Sequence, residues 1–328
     1  MKPKEKDYVF QSGLATQITA FLDEKHRLGF KYEREYHEFK NLDRFSMNYD
    51  CTDRLPEELV LAWTERKPHH SPQTTIFKIN VIRELAKFMS RNGCETYLYP
   101  ECMAPKKTHE HTPYIFTHEE IGRFFSVIDQ MQLSPNSSKR HLIFPLLFRL
   151  LYCCGLRVSE ALRLKVADVN IQNGVLHIRD AKDYRDRLIP MEESLREHCI
   201  RYMEQAIPDA DPDQYFFPAP DGFQYHIFTV RNTFREMHWK CGIPYGGRLV
   251  GPRLHDLRHT FAVHCLQKLI ASGREPLEIL PLLATYLGHK SYHGTSRYLH
   301  LTTELFPEII AQMEAAFKGL LPGSEDLA

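Results

Sequence analysis

The sequence predicts a mainly α-helical fold of two domains that carries one small β-hairpin. Three observations lead there. Apolar residues recur at three- and four-residue spacing along most of the chain. The period shifts to strand-like alternation in one short stretch, Gly174 to Pro190. A proline-bearing segment without periodicity, residues 92 to 113, separates two periodic halves. At 328 residues the chain is about twice a typical domain. The expected division is a helical domain over residues 1–105, a linker to about 113, and a second, mixed α/β domain over 114–328.

Taken in order, Lys2, Lys4 and Lys6 mark residues 1 to 11 as a loose basic terminus, either a solvated tail or an arm for an anionic partner. Leu14, Ile18, Phe21 and Leu22 start a helix that Gly29 stops, and Tyr36, Phe39, Leu42 and Phe45 share one face of a second. A third helix is expected from near Thr52, with Pro56 in its first turn. The fourth has Ser71 as N-cap, Pro72 at the first helical position, an Ile76–Phe88 stripe and a stop at Gly93. Its Lys78, Arg83, Lys87 and Arg91 read as a solvated polar side. No strand pattern appears in this half.

Thr117 and Glu120 form a capping box that opens the second domain, and an apolar helix from Leu142 to Cys154 ends at Gly155. Arg157 and Glu160 then begin another helix, where the arginine is either a salt-bridge partner or a phosphate clamp. Two short strands, Gly174 to Ile178 and Arg187 to Pro190, flank a polar turn with Lys182 beside it. Helices from Leu195 to Ala206 and around Val230 to Trp239 follow. His255 and Arg258, three residues apart, project from one face of the next helix. After a helix from Leu277 to Tyr286, Gly288 frees the backbone to turn His289 inward, and Tyr298 comes nine residues later.

Composition bounds the function. Apolar content of 43% and charged content of 26% describe a globular protein, no apolar run reaches the ~18 residues of a membrane span, and Met1 to Phe10 is too polar for a secretory signal. The expected location is cytoplasmic. Eight cysteines lie without a zinc-type spacing, and among 18 histidines His69, His70, His109 and His111 have no partner cysteines, so no metal is expected. With 42 basic and 42 acidic residues the net charge is zero, so any nucleic-acid surface must be a local patch. A tyrosine phenol, with a pKa near ~10, attacks a phosphodiester only with help. Two arginines on the non-bridging oxygens supply that help where charge accumulates.

Gly155-Leu-Arg-Val-Ser-Glu160, His255-Asp-Leu-Arg-His259, Leu287-Gly-His289 and Tyr298, in this order and spacing, resemble the motifs of the tyrosine recombinases, or phage integrase family. The resemblance covers about Phe116 to Leu301, and the N-terminal helices are similar in character to the family's SAM-like core-binding domain. It implies a site-specific DNA recombinase or integrase that cuts and rejoins strands through a 3′-phosphotyrosine, without metal, cofactor or ATP. Arg157 and Arg258 would clamp the scissile phosphate, His289 would hydrogen-bond it, and His255 would act as general acid/base on the nucleophile. Lys182 would protonate the 5′-oxygen leaving group, with Arg185 and Arg187 as rival cations; Glu160 would support Arg157. Tyr298 would be the nucleophile, Tyr286 and Tyr292 being phenols at other spacings.

The implied partner is a double-stranded DNA site, bound as a homotetramer whose last helix, Leu305 to Leu320, docks on a neighbour or on its own domain. The segment Gly273 to Tyr286 is a little longer than the family's usual spacing. Two alternatives stand beside this reading: a type IB topoisomerase-like enzyme, and an inactive DNA-binding regulator on the same fold.

Overall fold

The computed structural model describes residues 8–68, 70–105, 112–133, 139–179, 186–244, 246, 251–288 and 298. The chain divides into two compact units, Met1–Glu110 and His111–Ala328.

In the first unit the apolar stripes become α1 (Ala15–Arg27), α2 (Glu33–Ser46), α3 (Glu57–Thr64) and α4 (Pro72–Arg91). Leu14, Ile18, Phe21, Phe39, Leu42, Leu59, Ile79, Ile82 and Leu85 are buried in one core. The Ser71 hydroxyl accepts the Thr74 N–H at 3.2 Å, with Pro72 at the first helical position, so α4 starts as its sequence requires.

Four expectations change here. Helix α3 starts at Glu57 with Pro56 as its N-cap, not near Thr52. The residues before it form a two-residue strand, β1 (Arg54–Leu55), paired in parallel with β2 (Glu95–Thr96) inside the expected linker. A two-residue strand has no period to read, and its partner lies across the whole of α3 and α4. The N-terminal stretch is also tied down from Tyr8 onward. Buried Asp43 accepts the Tyr8 hydroxyl at 2.8 Å and the Ser12 N–H at 2.9 Å, which leaves its carboxylate no orphaned acceptor. Finally, the basic side of α4 is a solvated face only at Lys87 and Arg91, which are exposed. Lys78 is buried, donates to the Trp63 carbonyl at 3.2 Å and lies 3.8 Å from that ring centroid, while Arg83 is held by the Tyr99 carbonyl and by Glu101.

The second unit opens with the Thr117–Glu120 capping box, both bonds formed, and α5 (His118–Asp129). It continues through α6 (Arg140–Cys153), α7 (Val158–Arg163), a small sheet, α8 (Glu193–Ala206), α9 (Ile227–Lys240), α10 (Asp256–Ala271) and α11 (Pro276–Leu287). The sheet has three antiparallel strands rather than two, in the order β3 (Val169–Asn170), β4 (Val175–Ile178), β5 (Arg187–Pro190). The hairpin's own register pairs Ile178 with Arg187. Its turn, with Lys182 and Arg185, lies outside the described residues. Helix α6 is apolar on nearly all sides because α5, α8 and α10 all pack on it. No helix among the described residues is long and apolar enough to cross a membrane.

Candidate active site

Two glycine turns build the site. Gly155, after α6, has φ +57°, and a Cβ there would stand 2.4 Å from the Phe261 ring, so only glycine passes. Gly288 caps α11 at φ +65°. Each turn aims carbonyls inward. Buried Arg258, on the first turn of α10, donates Nη1 to the Gly155 carbonyl at 2.7 Å and Nη2 to the Leu287 carbonyl at 2.5 Å. Arg157, entering α7, donates Nη2 to the Gly288 carbonyl at 3.1 Å. Arginines far apart in sequence are thereby fixed over the same two turns.

Glu160 sits among them. It accepts Arg157 Nη1 at 2.7 Å and the Arg157 backbone N–H at 2.8 Å, and it takes a two-pronged bond from Arg187 of β5 at 3.1 and 2.8 Å. Arg258 Nη1 is 3.9 Å away. Burial alone would raise this carboxyl; the bonds and charge of Arg187, then those of Arg157, outweigh it and hold the group at about 2. Three guanidinium groups share one carboxylate, which leaves a positive excess beside the turns. Burial and the Arg157 charge lower Arg258 to about 10, so it remains a cation at neutral pH.

His255 occupies the N-cap position of α10. Loss of water around its ring, and then the charges of Arg258 and Arg157, lower it to about 4. One side of the residue still meets solvent, which weakens the burial part, but both cations push in the same direction. The imidazole is therefore neutral at neutral pH and able to take a proton.

Tyr298 is 1% exposed, packed among Ala262, Val263, Leu266, Ile279, Leu283 and Leu287 of α10 and α11. Its hydroxyl lies 3.1 Å from Nδ1 of His259. Tyr286, the rival phenol, is instead stacked on Phe261 with ring centroids 5.5 Å apart.

Of the residues expected from sequence, Arg157, Glu160, His255, Arg258 and Tyr298 are thus brought to one place, and His289 and Lys182 lie outside the described residues. Gly288, the neighbour of His289, is in the site. Arg187, weighed as a rival to Lys182, is committed to Glu160. Two partners were missed: Arg187 as the second clamp on Glu160, and His259 as the partner of Tyr298. The second had a signal, since His259 follows His255 by one helical turn on the same face. Among the described residues no group of three or more His, Cys, Asp or Glu could hold a metal.

A helical unit with a small sheet, two arginines over glycine turns and a buried tyrosine beside an imidazole has the parts of a phosphoryl-transfer site. Residues 115–304 match the Phage integrase family. A Sinorhizobium fredii protein named as an integrase/recombinase is 30% identical over 302 residues, 90% of this chain and 96% of that one. A tyrosine recombinase of Pseudothermotoga lettingae is 26% identical over 248 residues, 76% and 77% of the two chains. In fold the chain is similar to the Tn1549 transposon integrase, solved with a circular-intermediate DNA, at TM-score 0.60 and 17% identity over 86% of this chain and 94% of that one. The chain belongs to the phage integrase family.

Proposed function

We propose that this protein is a site-specific DNA recombinase that cuts one strand with Tyr298, holds it as a 3′-phosphotyrosine and passes it to a second strand. The observation that carries the reading is that Arg157 and Arg258 meet over the two glycine turns while Tyr298 shares an apolar cluster with Leu287, whose carbonyl holds Arg258. The names of its relatives, integrase and recombinase, favour strand exchange over a nick-and-reseal enzyme or an inactive regulator.

In this reading the non-bridging oxygens of the scissile phosphate take the positive excess left around Glu160, and His289 adds a hydrogen bond. The Tyr298 oxygen attacks phosphorus, its proton passes to imidazole, the bond from phosphorus to the 5′-oxygen breaks, and Lys182 protonates that oxygen. A 5′-hydroxyl from another duplex reverses the step, so the energy of the first phosphodiester is kept and no ATP is needed. Residues 114–328 are the catalytic domain and residues 1–105 a DNA-binding domain. The apolar stripe of Leu305 to Leu320, outside the described residues, supports assembly of a tetramer on DNA through that helix.

The test uses a pool of nicked duplexes with a randomised core, scored for SDS-resistant attachment. Wild-type protein should select members and attach to them. Tyr298→Phe should bind those members equally and attach to none; an adduct formed by that variant sinks the assignment.

A further inference from the structure

We propose that His259 accepts the Tyr298 proton directly, with His255 next in line. This deepens the recombinase reading and rests on it. The Tyr298 hydroxyl is 3.1 Å from His259 Nδ1, within proton-transfer reach, and the two rings have centroids 5.6 Å apart. His255 and His259, one turn apart on α10, stand edge to face with centroids at 4.8 Å. The phenol and the two imidazoles thus stand in succession beside the first turns of α10.

For the phenol to donate, Nδ1 must carry the lone pair and Nε2 the ring proton. In the cleavage step the O–H bond of Tyr298 breaks, its proton goes to Nδ1, the oxygen's electron pair forms the bond to phosphorus, and the 5′-oxygen leaves with the pair of the broken P–O bond. His259 becomes an imidazolium, and the reverse step returns the proton to the phenol.

A simpler role is conceivable for the same bond: a buried hydroxyl needs a partner, and His259 is one. Glutamine can satisfy a hydroxyl but cannot take its proton, and this separates the two roles. With the duplex pool selected by wild-type protein, His259→Gln and His259→Ala should each slow covalent attachment by about 10²–10⁴-fold while DNA binding holds. Added imidazole should speed His259→Ala and leave Tyr298→Phe without adduct. A His259→Gln protein that attaches at the wild-type rate overturns the proposal, as does one that loses DNA binding together with attachment, or a slow His259→Ala that imidazole does not speed. Failure of wild-type protein to attach at all overturns the recombinase reading instead.

Discussion

Glu160 is the residue on which the site's charge turns. It pairs with Arg157 and Arg187 while almost wholly buried, so its removal leaves guanidinium groups without their counter-charge. Glu160→Ala should destabilise the second unit by about 3–5 kcal/mol, read from urea unfolding. The acid response has one sign throughout. Glu160 is held at about 2 against an ordinary 4.5, so its stabilisation is complete above pH 4.5 and is lost as pH falls toward 2. His255 and His264 are both lowered from 6.5 to about 4, by burial first and then by neighbouring Arg258 or His118, so the unfolded chain binds their protons first and stability falls from pH 6.5 to 4. The urea midpoint should therefore begin to drop well above pH 4.5, and less so in His264→Gln; a midpoint flat down to pH 4.5 would contradict the imidazole part. At this scale the sequence announced Arg157, Glu160, His255, Arg258 and Tyr298 through motif spacing. It was silent on the pairing of Arg187 with Glu160, because nothing local says that a strand residue will reach a helix residue far upstream.

Among the elements, the two glycine turns do more than stop helices. The sequence marked Gly155 as the end of α6 and Gly288 as a pivot, and both have the left-handed backbone those roles need. What it could not mark is that the carbonyls at these turns accept the arginines. Gly155→Ala should then cost roughly 1–3 kcal/mol from its backbone alone, more from the Phe261 contact, and should displace the carbonyl that orients Arg258. Urea unfolding measures the first effect, and a fall in covalent attachment larger than the fall in folded fraction measures the second. An alanine variant with wild-type stability and attachment would show that the turn is not under this constraint. The capped helices were legible because caps are local chemistry, as at Ser71 and Thr117. Strands β1 and β2 were not, because two residues carry no period and their pairing closes a long loop.

For the whole molecule, zero net charge and a DNA partner are reconciled by a local excess of cations around Glu160 rather than a basic surface overall. Binding to the selected duplexes should weaken steeply with salt, linearly in the logarithms, and the mass of the complex on DNA should drop when residues 305–320 are deleted. A flat salt response would count against phosphate contacts, and an unchanged mass against assembly through that helix. Each unit buries its own core, Phe21, Phe39 and Leu85 in the first and Phe124, Phe144 and Phe148 in the second. That division was readable from periodicity, because apolar spacing and caps act over a few residues. So were the helical class of both halves and the residue types able to move a phosphoryl group. Only the folded chain decided that Arg187 faces Glu160, that Lys78 is buried on Trp63, and that His259 holds the phenol. Those pairings depend on how distant elements pack, and packing decides which polar groups must find each other away from water.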